Sequence, residues 1–501
     1  MFFSYANLPT ERFSHSELQL LDPKLLFAAF IVIILHFFGR LTHIWSNVAL
    51  KLMKSMLRIT SSPNGQPEHC PPLLEDLLRT FPLDIRTAKK VLRMDADIDT
   101  WAACPKCHFT YPPTEHPLIC SAKRFSRTCG ARVCKSKVRN GQSILVPIKP
   151  FEIQNFESFK ASLISRPGTE ELLDRGLTFF EQNPDLLHLK DGSIVAEVIG
   201  PDGAAFCDGM QRSELRLLWS FSVDWFNPYF NKTAGKTASI GVISMTCINL
   251  PPTLQFEGTN MYLAAIIPGP NEPPDDAINE YMKPVAGALK RSWLHGTYYS
   301  STPSHPNGRM ERSAIALAVF DLLARAKVVG HKSHSGKACF CGLCLLSKDQ
   351  INEIDYTQWP KRDRNMWMEQ ALAWRNAPSK KKRKALFDQN GVRWSPLLEL
   401  PYFDPTTMVV VDSMHNHLLN QVHHHFRYRL GISEEDPADA PPTAEQIQEV
   451  VKLFQRANMK RSDLEKKCRL KTLKLLCHLH GLHIGERAKK IDMIIGLQVR
   501  V

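Results

Sequence analysis

Three apolar runs lie close together in this chain, each stopped by an aspartate or a proline cluster, and they restrict its fold more than any other feature. Leu217 to Val223 (LLWSFSV) ends at Asp224, Ala238 to Leu250 ends at Pro251-Pro252, and Asn260 to Ile267 ends at Pro268-Gly269-Pro270. Short apolar runs bounded by turn residues predict strands. Asp276 to Trp293 then carries Ile278, Met282, Val285 and Leu289 at helical spacing. Ser313 to Phe320 is a fourth apolar run, ending at Asp321. Its Ala and Leu content suits the start of a helix as well as a strand.

Strand, strand, strand, helix, strand, with an aspartate closing the first and fourth strands, is the order of a ribonuclease H-like sheet. The expected fold class is therefore α/β, with such a core over 190–430. The charged, tryptophan-containing stretch at 331–400 reads as a helical insertion containing cysteine and histidine. Around the core, 1–60 is expected to be helical, 70–150 to be a zinc-binding module, and 445–501 to be a helical hairpin beyond the acidic, proline-rich linker Glu434 to Pro442. Residues 52–98 read as short helices with Leu73, Leu74, Leu77 and Leu78 on one face, preceded by a linker at Ser61 to Gly65. Ile144 to Ile148 reads as a strand, and the stretch from there to 187 as mostly helical.

Phosphodiester cleavage by the two-metal route needs carboxylates that bridge two Mg²⁺ ions. Mg²⁺ takes hard oxygen ligands, so Asp224 and Asp321 are the expected catalytic and metal-binding residues. Thr407 to Val411 is a further strand ending at Asp412, the expected third acid. The competing reading makes each an ordinary surface or capping aspartate. Cys104-Pro105-Lys106-Cys107 is a tight knuckle answered by Cys120 and Cys129, a set that suits tetrahedral zinc, with Cys134, His108 and His116 as alternates and free buried thiols as the other reading. Cys341-Gly342-Leu343-Cys344 is a second knuckle for a metal. Its completing ligands would be Cys339, His331 or His334 nearby, or His415, His417 and His423 to His425 further on.

The formal net charge of +13 favours a polyanionic partner such as DNA or an acidic membrane surface. The start of the chain carries Glu11, Arg12, Glu17 and Asp22, unlike a secretory leader. Eight of the 13 cysteines fall in two clusters, 104–134 and 339–344, as metal sites in a reducing compartment do. Leu25 to Leu35 is uninterruptedly apolar and extends to Phe38, yet a spanning helix needs about 20 apolar residues. A buried or partner-docking helix is the expectation there, with membrane contact through 25–45 as the alternative. Lys380 to Lys384 suits nuclear import, a phosphate-binding patch or a solvated helix face. Leu473, Leu476 and Leu479 with Gly481 and Ala488 to Ile495 resemble a SAP-type DNA-binding hairpin.

Several motifs together resemble one family. Phe221 to Lys232 (FSVDWFNPYFNK), Ile266 to Pro273 (IIPGPNEP) and Phe320 to Gly330 (FDLLARAKVVG) are similar, in order, to elements of CACTA-type (En/Spm-like) transposases in their fungal form. The Cys341–Cys344 knuckle, Leu400 to Pro405 (LPYFDP), Val411 to Asn416 (VDSMHN) and the CPKC start of the first cysteine cluster extend the resemblance over roughly 70–430. It implies a ribonuclease H-like nuclease with a helical insertion, Mg²⁺-dependent DNA strand cleavage and transfer, structural zinc and nuclear residence, with self-association open. Asp224 and Asp321 carry over as metal ligands. The second motif departs from the family at Phe320, where Cys is usual, and in the order Ala324-Arg325-Ala326-Lys327. A truncated copy, and an inactive DNA-binding remnant, are the competing expectations.

Overall fold

The two apolar runs that carry Asp224 and Asp321 both form strands, of 12 residues each. A computed structural model describes residues 6–8, 22–62, 65–66, 71–92, 94–139, 141–178, 192–207, 213–229, 238–430, 442–455, 461–482 and 489–498. Parts of the sequence reading fall outside these: Glu11, Arg12 and Glu17, Pro63 and Asn64 of the first linker, 179–187 of the mostly helical stretch, Phe230 to Lys232, the 434–441 part of the acidic linker, and Ala488. The chain divides into two compact units, Met1–Ser413 and Met414–Val501.

The first unit begins with strand β1 (Ala6–Leu8) and helices α1 (Pro23–Phe37), α2 (His43–Ser61), α3 (Pro72–Thr80) and α4 (Ile85–Val91). Short strands follow: β2 (Ile98–Ala103), β3 (Thr110–Tyr111), β4 (Lys123–Arg124), β5 (Arg127–Thr128), β6 (Cys134–Arg139), β7 (Gln142–Pro147) and β8 (Pro150–Gln154). Helices α5 (Phe156–Ile164), α6 (Thr169–Thr178) and α7 (Ser193–Glu197) lead into β9 (Leu215–Phe226) and β10 (Ile240–Cys247). Then come α8 (Pro252–Gln255), β11 (Met261–Ile267), α9 (Ile278–Leu294), β12 (Thr297–Tyr299), β13 (Arg309–Phe320) and α10 (Leu322–Arg325). Helices α11 (Arg364–Asn376) and α12 (Lys380–Asn390) precede β14 (Val409–Val411).

Among the described residues the main sheet has ten strands in the order β1-β12-β13-β9-β10-β11-β8-β2-β3, with β14 also on β13. β9, β10 and β11 pair antiparallel in succession, while β13 runs parallel to β9 and β14 parallel to β13. β9 and β13 are buried along most of their length, as central strands covered on both faces must be. Helix α9 packs Ile278, Met282, Val285 and Leu289 into the core beside them. The fourth run is thus a strand, and it starts at Arg309, before the apolar residues begin.

The stretch after Ile148 is mostly helical, in α5 and α6, but it opens on a strand the sequence reading did not include: Pro150–Gln154 pairs with β11 on one side and β2 on the other. The cysteine-bearing strands are therefore continuous with the central sheet. The alternation of Phe151-Glu152-Ile153-Gln154, only four residues long, is a signal for this strand.

Helix α1 starts where Asp22 accepts from the amides of Lys24 and Leu25, with Pro23 in its first turn. It turns back into α2, burying Ala28, Ala29, Val32 and Ile33 with Leu50, Leu57, Leu78 and Phe81. No helix among the described residues is long and apolar enough to cross a membrane. Among the described side chains of α3, Leu78 is buried and Leu73 exposed.

The second unit holds π-helical turns at Met414–Val422 and His425–Arg429, then α13 (Ala444–Phe454), α14 (Arg461–Lys467), α15 (Leu470–Leu479) and α16 (Lys490–Gln498). Leu473 and Leu476 of α15 meet Met493, Ile494 and Leu497 of α16 in its core.

A buried ion pair ties the sheet to α5. The Lys160 ammonium meets the Glu311 carboxylate with both side chains at 0–1% exposure, and donates to Ser292 Oγ at 2.7 Å. Ser313 also donates to Glu311 and accepts from Trp219 Nε1 at 3.0 Å. Removing one partner of such a pair leaves a buried charge uncompensated, at a cost of about 3–5 kcal/mol. Glu311→Ala should lower the unfolding free energy by that amount in denaturant titration. Lys160→Met with Glu311→Leu should recover most of it, since an apolar pair removes both charges. A single-variant loss below about 1 kcal/mol would contradict this account.

Candidate functional site

Asp224 lies two residues before the end of β9, facing solvent at a position flanked by buried Val223 and half-buried Trp225. Asp321 follows the last residue of β13 and is half-buried. The last paired positions on these parallel strands are Ala318 with Phe221 and Val319 with Ser222. Continued two residues past that pairing, the same register would set Asp321 opposite Asp224. Neighbouring strands lie about 4.8 Å apart, and residues in register project from the same face.

A one-residue irregularity sets this alignment. Ile315 pairs with Trp219 but Leu317 pairs with Ser220, so Ala316 is an extra residue in β13. Without it Asp321 would fall opposite Trp225, because a one-residue slip exchanges the faces of a strand. The Ile315 amide donates instead to the Tyr402 hydroxyl at 3.0 Å. Tyr402 thereby satisfies a donor at the irregularity, and burial pushes its phenol well above the ordinary range. Nothing in the apolar pattern of 313–320 signals the bulge, and Tyr402 is 87 positions away.

Asp412 follows β14, and its amide donates to the Phe320 carbonyl at 2.8 Å. Asp321 and Asp412 thus directly follow β13 and β14, and Asp224 lies near the end of β9, on three adjacent strands that run in one direction, although the three carboxylates do not all come within 4.8 Å of one another. Asp321 also caps α10, accepting from the Ala324 amide, so the capping role weighed from sequence is real for one of its oxygens. The other motif segments converge here as well. Lys327 Nζ lies 4.9 Å from the Trp225 ring centroid and pairs with Glu272 of the IIPGPNEP segment.

The cysteine cluster is tighter. Cys104, Cys107, Cys120 and Cys129 have sulfurs within 4.8 Å of one another, the one such group of three or more potential ligands among the described residues. Cys104 and Cys129 Sγ lie 3.7 Å apart, and Cys107 and Cys120 Sγ 3.5 Å. Zn–S bonds of about 2.3 Å in a tetrahedron put sulfurs roughly 3.8 Å apart, so the set fits zinc. The alternates are engaged elsewhere: His108 Nδ1 is 3.0 Å from the Tyr281 hydroxyl, His116 Nε2 is 3.1 Å from the Thr100 carbonyl, and Cys134 is buried in β6. Burial pushes the Cys104 and Cys107 thiols up. At Cys129 burial also pushes up, but the Ala131 amide and the neighbouring thiols outweigh it and the thiol falls below its ordinary range.

Cys120 and Cys129 bracket a hairpin. Arg124 and Arg127 are paired across a two-residue turn in which Phe125 (φ 48°) and Ser126 (φ 66°) both adopt the left-handed conformation usual for Asn-Gly. Strain of that kind costs about 1–3 kcal/mol per residue and persists only when the surroundings impose it.

Cys341 and Cys344 stand as a pair, with no third ligand within 4.8 Å among the described residues. Burial pushes the Cys344 thiol up. Around them the Arg362 guanidinium donates to the carbonyls of Cys341 at 3.0 Å and Asn390 at 3.2 Å, and buried His331 holds Nδ1 2.5 Å from the Lys332 carbonyl. The histidines at 415, 417 and 423–425 belong to the second unit.

Residues 209–376, about a third of the chain, match the model of a protein family described as transposase family tnp2. The matched stretch contains Asp224, Asp321, Cys341 and Cys344, and excludes Asp412 and the four-cysteine group. No curated protein matches the chain. The family match supports a transposase-related function and, with it, DNA as a partner.

Proposed function

We propose that this chain is a cut-and-paste DNA transposase of CACTA type, built on a ribonuclease H-like core and acting in the nucleus. The observation that carries the reading is the register that aligns Asp321 with Asp224 on adjacent parallel strands, inside the stretch that matches the transposase family. The strand order β11-β10-β9-β13-β14, antiparallel on one side of β9 and parallel on the other, supports the ribonuclease H-like part. Asp224 and Asp321 would hold Mg²⁺, with Asp412 beside them as third acid. Bound Mg²⁺ would supply charge neutralisation at the scissile phosphate and activation of a water or 3′-hydroxyl. The carboxylates fix where that charge sits, and Lys327, held by Glu272 and Trp225, adds a cation next to Trp225. Cys104, Cys107, Cys120 and Cys129 would bind zinc structurally.

A catalytically inactive DNA-binding remnant is the second reading. It is favoured by the capping role of Asp321 and by the lack of any Asp or Glu in residues 414–430, where a helical third acid would lie. Incubation of the full chain with duplex DNA separates the two: Mg²⁺-dependent strand cleavage is expected, and its absence with binding intact favours the remnant. Binding itself should weaken about 10³-fold or more between 50 and 200 mM salt if six or more phosphates are neutralised. A flat dependence would contradict DNA as partner.

A further inference from the structure

Between the cysteine hairpin and helix α12 lies a cavity of about 690 Å³ that the carboxylate site does not use. Two segments far apart in sequence bring cations to it. Lys106 and Arg124 come from the cysteine module, and Lys380, Arg383, Lys384 and Arg393 from α12 and the residues after it. Only Asp276 and Asp388 oppose these six. Asp276 is shared: Arg124 pairs with it closely, and Arg383 reaches the same oxygen at 3.9 Å. The Arg383 guanidinium carbon sits 4.6 Å from the ring centroids of both Phe125 and Trp374, clasped between them. Its Nε is enclosed and makes no hydrogen bond within the protein.

We infer that this groove binds the phosphate backbone of unpaired DNA, with an unstacked base laid against the outer face of Phe125, which Arg383 and buried Trp374 back from within. The inference rests on the reading of the chain as a DNA-processing protein and adds which form of DNA is held and where. Surplus positive charge beside two carboxylates calls for an anion, and six cations from two walls suit a chain of phosphates. Aromatic rings interleaved with arginine are the surface on which single-stranded bases stack, and paired bases offer no free face to it. The volume is that of a pocket for a compact ligand, in the range of about 300–1,000 Å³, which admits a nucleotide or two at a time. The hairpin that presents Arg124 and Phe125 is closed at its base by Cys120 and Cys129, so the strained Phe125 turn is held where it meets Arg383.

The basic run supplies its own control, because Lys380, Arg383 and Lys384 line the groove while Lys381 and Lys382 do not. Anisotropy titrations of the full chain with a labelled oligothymidylate and with a duplex of equal length test the inference. Arg124→Ala with Lys384→Ala should weaken oligothymidylate binding by at least about tenfold and lower the salt slope by about 1.4, or 0.7 for each lost phosphate contact. Lys381→Ala with Lys382→Ala removes equal charge and should cost less than about threefold. Phe125→Ala, which removes no charge, should weaken oligothymidylate more than duplex. Should the hairpin variant lose its fold by circular dichroism, Lys380→Ala with Lys384→Ala tests the same groove from the exposed side of α12.

Equal losses in the groove and control pairs, or equal losses on single strand and duplex, overturn the inference. Duplex cleavage by the wild type, followed in parallel, keeps it separate from the transposase reading. Cleavage with undiminished single-strand binding in the groove variants sinks the groove alone. Lost single-strand binding in those variants, with no cleavage by the wild type, sinks only the catalytic reading.

Discussion

Asp224→Asn and Asp321→Asn are each expected to cut Mg²⁺-dependent DNA cleavage about a thousandfold or more, while DNA binding changes less than about threefold. A metal clamp contributes several kcal/mol to stabilising a phosphoryl transition state, and each 1.4 kcal/mol is a factor of ten, so losing a ligand forfeits about three powers of ten. Asparagine is the informative replacement at Asp321, because it caps a helix as well as aspartate does. The bond to the Ala324 amide therefore survives, and the carboxylate charge alone is lost. Thermal melting gives an independent readout. Two carboxylates on adjacent strand ends repel one another, so Mg²⁺ should raise the melting temperature of the wild type and either substitution should abolish that increment. Asp412→Asn should behave like the other two if Asp412 completes the site. If both Asn variants at 224 and 321 cleave like the wild type, the nuclease reading fails at its centre.

The two strands that lead to Asp224 and Asp321 were legible because their apolar runs announce them. An apolar run bounded by turn or charged residues marks the element but not its exact ends: β9 runs on through Asp224 to Phe226, and β13 begins at Arg309, four residues before its run. Their alignment was not legible. It depends on one extra residue at Ala316 and on a tyrosine far along the chain that satisfies the amide beside the bulge. The four-cysteine group was legible from spacing, since Cys104 and Cys107 define a knuckle whatever the rest of the chain does. What spacing could not give was the continuity of that module with the central sheet through β8, whose pairing partners β2 and β11 lie about 50 and 110 positions away in the chain. The lysine run at 380–384 was legible as charge only. Which of its residues face a groove follows from the turn of α12 against the cysteine hairpin, a tertiary fact.

Zinc removal should have the larger structural effect. Cys104→Ser is expected to lose one zinc per chain relative to wild type, with Cys341 and Cys344 intact, and to expose 104–134 to protease while the central sheet persists. The segment packs little within itself. Its buried apolar set is small, Ala102, Tyr111 and Val133 with cysteines, and β4 and β5 are two residues each. Structural zinc contributes an apparent 10–16 kcal/mol or so in small zinc domains at neutral pH, far more than those contacts supply. The sign of the pH dependence follows from the thiols. Burial holds Cys104 and Cys107 protonated in the metal-free protein at neutral pH, so zinc must displace their protons, and affinity should fall as pH falls. Cys134→Ser is the matched control, because Cys134 lies in the same segment but outside the four-sulfur group, and it should keep its zinc. Unchanged zinc content in Cys104→Ser, or equal loss in Cys134→Ser, would show that the four sulfurs are packed thiols and that the hairpin is held by its own contacts.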